Sequence, residues 1–393
     1  MKSKIGVLFL FVCTLFQFVV AQKTQNTSLK INNYTKGELE IKAIPFGYEN
    51  PISVGKITAD GTIHLNWSEL DLSKIEGSEN YVTSIQQLTG GTFCKDSSAT
   101  ITNENVKPVL VETLFLYKYD QQVGAVIPST QKNQEHNNKQ LGSTIYWVYS
   151  DNETTAKANC SKKLAWEDVY SFNETTAYNL QLKNGWNMIL NTLLEKEDWV
   201  DGTEKGSLPK SITKTSITEI PDTMHWYLKY WANDEFLEIE HQLVMLTPIT
   251  KEVYENWVPK KLGNLKRTSY EIGKTIERMP TTNNVALIFE NGAKVIDLTI
   301  VDCADSQEAA STFTLMQDMA SRDWNDTTDT GYKSASKMDD TRVIVDYNEK
   351  DAKTLVTYNA NNRFVVKAEA NNITPEELWE HLKTLHLETL LKE

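Results

Sequence analysis

Six histidines and four cysteines are the residues with which this chain could bind metal or attack a carbonyl, and their spacing excludes most of that chemistry. His381 and His386 lie on the expected C-terminal helix. Five residues on a helix turn a side chain through about 140°, so the two cannot share one ion. His64, His136, His225 and His241 stand alone. No H-E-x-x-H, H-x-H or C-x-x-C occurs, which removes the usual zinc spacings. No G-x-S-x-G elbow and no phosphate-cradling glycine loop occurs; Gly90-Gly91 is an isolated pair. Cys303 ends an expected strand with no histidine near it in sequence, and reads as a small buried hydrophobe.

The acidic candidates are Asp297, Asp302 and Asp305, with Asp326 and Asp329 further on. Such carboxylates suit a hard cation, but EF-hand spacing is absent and Asp305 is expected to cap a helix. Solvated acid is the expectation, with no metal, no cofactor and no catalytic residue assigned. A carboxylate pair for glycoside hydrolysis needs only spatial proximity, so a secreted, glycosidase-like hydrolase using carboxylates at the domain interface stays as the alternative.

Aromatic residues offer more: 10 Trp and 16 Tyr. Trp226, Tyr227, Tyr230 and Trp231 are the densest set. Their flat apolar faces and polar edges suit a sugar ring or a protein partner. On a helix, Trp226 would stack with Tyr230 and Tyr227 with Trp231; a strand fits nearly as well, and the residues do not separate the two. The competing reading is that these rings pack between two domains.

The formal net charge is −13, and losing Lys2 and Lys4 with a leader takes it to −15. Such a chain repels phosphate backbones, so nucleic acid is not an expected partner.

The elements that must position these residues begin after that leader. Lys2 and Lys4 form a basic head, Ile5 to Val20 an uncharged run, and Val19 and Ala21 a small-residue cleavage site. This is a secretory signal peptide over residues 1–21, with cleavage after Ala21. Cys13 is discarded with it. No later stretch is long and apolar enough to span a bilayer. The mature chain is expected in the periplasm, at the cell surface or in the medium. Cys94 and Cys160 lie in turn-like polar sequence and are the disulfide candidates in that oxidising setting.

Residues 22–202 read as short strands separated by polar turns, a β-sandwich-like domain. Ile52 to Ile57 and Ile63 to Trp67 alternate around a turn at Asp60-Gly61. Residues 203–257 read as a linker and aromatic-rich connecting segment. Residues 258–393 read as an α+β domain in the order β-β-α-β-β-β-α. Asn291-Gly292 marks a hairpin, Asp305 with Glu308 a first capping box, and Thr374-Pro375-Glu376-Glu377 a second. The expected form is one antiparallel sheet with its helices packed on one face.

Two patterns resemble known groups. Val54-Gly55-Lys56-Ile57, Asp60-Gly61-Thr62-Ile63, Cys94, Cys160 and Gly185-Trp186-Asn187 together resemble uncharacterised β-sandwich domains of exported bacterial proteins and lipoproteins. Asp329-Thr330-Gly331-Tyr332, Val343 to Tyr347 and Asn362-Arg363-Phe364-Val365-Val366 resemble uncharacterised envelope-protein α+β domains. Neither resemblance implies an activity or a catalytic residue. The lipidated cysteine of the lipoprotein members is missing at the cleavage point here. The expected function is a non-enzymatic exported protein that binds or scaffolds at the bacterial cell envelope, with an envelope protein or glycan as partner. An outer-membrane assembly role is a third, weaker option.

Overall fold

The computed structural model describes residues 29–45, 50–68, 84–90, 99–131, 140–166, 170–201, 203–276 and 281–392. The leader, Cys94 and His136 lie outside the described residues. The chain divides into two compact units, Met1–Trp231 and Ala232–Glu393. Both are mostly strand, with few helices. Among the described residues, no helix is long and apolar enough to cross a membrane.

The first unit contains β1 (Leu39–Ala43), β2 (Ile52–Ile57), β3 (Ile63–Leu65), helix α1 (Ile85–Leu88), β4 (Thr100–Ile101), β5 (Val109–Val111), β6 (Leu114–Lys118) and β7 (Gln121–Ser129). There follow β8 (Gly142–Ser150), β9 (Thr154–Trp166), β10 (Tyr170–Leu182), β11 (Gly185–Asp201), β12 (Glu204–Ile217) and β13 (His225–Tyr230). They form one connected sheet ordered β3-β2-β1-β6-β7-β8-β11-β12-β10-β9-β4, with β13 added to β7 and β5 to β8. β10 and β12 run parallel; their neighbours are antiparallel. A single residue pair, Ser129 with Thr144, joins β7 to β8.

Strand β8 explains the core. Tyr146 and Val148 enter an aliphatic cluster with Leu180, Leu182, Ile189, Ala156 and the α1 residues Ile85 and Leu88. The alternate residues point the other way, as the two-residue period requires. Trp147 stands 5.3 Å from Trp67 and 6.5 Å from Trp226, and Tyr149 lies 5.3 Å from Trp186. A strand buried on both faces carries an unbroken apolar run, which Ile145 to Tyr149 does.

The stretch 203–257 is no linker. It holds β12 and β13 of the first unit, then α2 (Asp234–Val244) and α3 (Lys251–Trp257) of the second. The polar Glu204 to Lys210 segment pairs along β11 from Glu204↔Asp201 to Pro209↔Lys196. Ladder hydrogen bonds to a neighbour overrode a turn-like composition there.

The second unit continues with β14 (Lys261–Leu262), β15 (Leu265–Ile272), β16 (Asn284–Asn291), β17 (Lys294–Asp302) and α4 (Gln307–Met319). It then has β18 (Trp324–Thr328), β19 (Gly331–Met338), β20 (Thr341–Asn348), β21 (Lys353–Ala360), β22 (Phe364–Asn371) and α5 (Pro375–Leu382), closed by a 3-10 turn over Leu387–Leu391. The sheet is ordered β14-β15-β16-β17-β22-β21-β20-β19-β18. Four of its strands, β14, β15, β18 and β19, are absent from the sequence-based order. β18 reads Trp-Asn-Asp-Thr-Thr and is exposed along four of its five residues, so no apolar alternation marks it.

The helices cover both faces of this sheet, not one. Leu378, Trp379 and Leu382 of α5, with Tyr254 of α3, pack on the face bearing Ile296, Leu298, Ile300, Val366 and Ala368. Phe313, Ala309 and Ala310 of α4, with Leu243 of α2, pack on Val301 and Val365, which point the opposite way. The helix pattern was legible; the face each helix takes depends on the crossover. Thr374 caps α5 as expected, accepting from Glu377 N at 3.3 Å with Pro375 in the first turn. The α4 cap is Ser306, not Asp305: Ser306 Oγ accepts from Ala309 N, while Asp305 turns to φ +53°.

Asp302 is fully buried and paired with Arg363. The guanidinium donates to Asp302 Oδ1 at 2.7 Å and Oδ2 at 2.8 Å. The carboxylate also accepts from Ile249 N at 2.7 Å and Ala304 N at 3.2 Å, and Arg363 donates to Thr247 O at 2.6 Å. One bidentate pair thus pins the α2–α3 connection to the ends of β17 and β22. Arg363→Met should cost about 3–5 kcal/mol of unfolding free energy, because it strands a buried charge. Urea titration monitored by circular dichroism checks this; a stability equal to wild type within error would refute it.

Candidate functional site

The four aromatic candidates lie on β13, an extended strand, and at the residue just after it. Alternation therefore splits them, and neither helical stack forms. β13 is held to β7 from His225↔Ser129 to Tyr230↔Gly124. Gly124 is required by that approach: a Cβ there would stand 2.6 Å from Lys229 O.

Trp226 and Tyr227 line an open cleft of about 1080 Å³. The facing wall is the segment 29–36, which contributes Asn32, Tyr34 and Lys36, and His225 completes the β13 side. That wall is tied down by the β2–β3 turn. Ile31 N donates to Gly61 O at 3.0 Å and Ile63 N to Leu29 O at 2.7 Å. Gly61 has φ +87°, and a Cβ there would stand 2.7 Å from Tyr34 Cβ. Asp60 accepts from Thr58 Oγ1, Thr62 N, Thr62 Oγ1 and Lys30 Nζ. Those bonds, the Thr58 hydroxyl first and Lys30 second, hold its carboxyl well below the usual carboxylate range. At the far end, Lys36 Nζ lies 4.2 Å from the Tyr230 ring centroid, a cation–π contact that joins the wall to β13.

The remaining candidates have other surroundings. Tyr230 and Trp231 are not in the cleft lining. Trp231 is 49 % exposed, and its Nε1 donates to Gln122 O at 3.3 Å. Tyr227 OH donates to Gln131 O. Trp226 is only 6 % exposed and continues the inner tryptophan cluster through Trp147. Its indole N–H is buried without a hydrogen-bond acceptor among the described residues. A buried donor left without an acceptor costs about 1–3 kcal/mol. Asn32, Tyr34, Lys36 and His225 were not singled out by sequence reasoning as cleft residues. Only the Asn32-Asn33 turn, with Asn33 at φ +56°, could have hinted at a shaped wall.

The acidic candidates do not assemble. Asp302 is spent on Arg363, whereas Asp297 and Asp305 are exposed. Asp326 and Asp329 are exposed on the β18–β19 hairpin. Among the described residues, no group of three or more His, Cys, Asp or Glu side chains could hold a metal ion. Cys160 is buried on β9 and is not a free thiol, and Cys303 is the free cysteine among the described residues.

Comparison with protein-family models, with curated proteins and with solved structures found no match.

Burial, then the charge of Asp302, pushes the Cys303 thiol up to about 12, so it stays protonated near neutral pH. A thiol reagent should leave Cys303 unmodified in the native protein and label it on unfolding. Rapid labelling of the native protein, seen by mass spectrometry, would contradict this burial.

Proposed function

We propose that this protein is a non-enzymatic, exported binding or scaffolding protein of the bacterial cell envelope, and that the cleft beside β13 takes a ring of an envelope glycan. The observation that carries the reading is Trp226, an indole at the cleft wall whose buried N–H has no acceptor among the described residues. Asn32, Tyr34 and His225 line the same cleft. Aromatic faces with nearby polar edges match a pyranose, which presents apolar C–H faces and an equatorial rim of hydroxyls.

The hydrolase alternative draws no support from this cleft. Among the described residues, Asp222 is the single carboxylate in its lining, and glycoside hydrolysis uses two. For the first unit we propose a sandwich-like body in which the sheet bends at the single β7–β8 pair. Burial of β8 on both faces and the Trp147–Trp226 contact support that form. Export further implies cleavage after Ala21 and a Cys94–Cys160 bond. A mature N-terminus at Gln22 and a linked peptide pair in a non-reducing digest would be the expected signs.

Titration with cell-wall and capsular oligosaccharides, followed by tryptophan fluorescence and calorimetry, tests the binding site. Trp226→Phe keeps a ring and removes the donor, so it should weaken binding by about tenfold, the worth of one hydrogen bond. Absence of saccharide binding at millimolar concentrations, or affinity unchanged in Trp226→Phe, would refute the assignment.

A further inference from the structure

Lys214 is a lysine on the core face of the first unit, away from the cleft. It lies on β12, opposite Tyr178 of β10 and Asn191 of β11. The row across the sheet is therefore Ala158, Tyr178, Lys214, Asn191 and Thr144. Lys214 Nζ stands 5.4 Å from the Tyr146 ring centroid and 5.7 Å from that of Tyr178. Tyr178 is one strand to one side of β12, and Tyr146 is two strands to the other. An amine between those rings sits over the seam of β11 and β12, the side to which Asn191 projects. Residues directly opposed in an antiparallel pair have Cβ atoms about 4.5–5.5 Å apart.

Both groups lack strong partners. Among the described residues, no carboxylate forms an ion pair with Lys214. Asn191 Oδ1 is buried without a hydrogen bond, and Nδ2 reaches only Thr144 Oγ1, at 3.5 Å. Burial is the largest influence on Lys214 and pushes its pKa down, toward the free amine that can act as a nucleophile.

We propose that Lys214 and Asn191 join in an intramolecular isopeptide crosslink. The Nζ lone pair attacks Asn191 Cγ, the Nζ–Cγ bond forms, the Cγ–Nδ2 bond breaks, and ammonia leaves. The proton shed by Nζ passes to the departing Nδ2. No electron changes hands, and no cofactor is needed. The bond would tie β11 to β12 two residues from the point where their register slips, between Leu193 and Glu195. The parallel ladder from β10 ends at Ser211, with Thr175 Oγ1 donating to Lys210 O at 3.3 Å, so the hairpin beyond depends on the β11–β12 ladder.

The test uses the mature full chain after disulfide reduction, with intact mass followed by peptide mapping. The expected result is a mass lower by one ammonia and a branched peptide containing both Lys214 and Asn191. Lys214→Arg and Asn191→Ala should each restore linear peptides. Cyclisation of an N-terminal Gln22 also releases ammonia, and mapping separates it from the crosslink. Linear peptides bearing Lys214 and Asn191 in the wild-type protein would overturn the proposal, whatever the variants do.

Discussion

Every residue of β8 from Ile145 to Ser150 is buried, and the first unit is organised around that absence of a solvent face. Even-numbered side chains meet aliphatic residues of β9, β10, β11 and α1. Odd-numbered ones meet a cluster of indoles. Each aromatic or aliphatic side chain removed from water contributes roughly 1.5–3 kcal/mol. A one-residue slip of β8 would exchange the two sets and leave Trp147 facing a space shaped for valine. The cleft depends on the same constraint. Trp226, which lines it, stacks on Trp147 with ring centroids 6.5 Å apart.

The second unit solves a different problem. Its sheet has a helix layer on each face, so the polar ends of helices and loops meet the core in several places. Two buried carboxylates manage this. Asp302 engages Arg363 and two backbone amides. Glu240 of α2 accepts from Thr314, Gln307 and Ser311 of α4, which locks the two helices on that face together. Each is hydrogen-bonded on both oxygens, the condition under which a buried charge is tolerated. Tyr254 feels the Asp302 pair: burial first, then that negative charge, raises its phenol pKa.

Signals within a few residues were readable. Asp60-Gly61 and Asn291-Gly292 mark turns because glycine reaches positive φ, although the loop of the second is Gly292-Ala293, one residue further on. Thr374 and Pro375 start α5 because a hydroxyl acceptor and a missing N–H suit a helix end. Signals that need a neighbour were not readable. β18 and β19 carry no clear apolar alternation and exist by virtue of the ladder from β20. Lys205 to Lys210 looks like a connection until β11 pairs with it. Trp226 to Trp231 suits a strand nearly as well as a helix, and only the hydrogen bonds to β7 choose the strand.

By itself, the order of residues determined the strand-rich character, the approximate places of the hairpin turns, the Thr374 cap of α5 and the lack of standard metal or nucleophile spacings. These follow from backbone preferences and from chemistry that acts over one or two turns of chain. Tertiary structure alone decided which helix covers which face, where the two units divide, and that Trp226 and Tyr227 but not Tyr230 and Trp231 border a cleft. Those outcomes rest on contacts between residues far apart in the chain, such as Tyr227 with Gln131 and Trp186 with Ser68, separated by 96 and 118 positions. Local sequence carries no term for such contacts, because their free energy appears only when the chain closes.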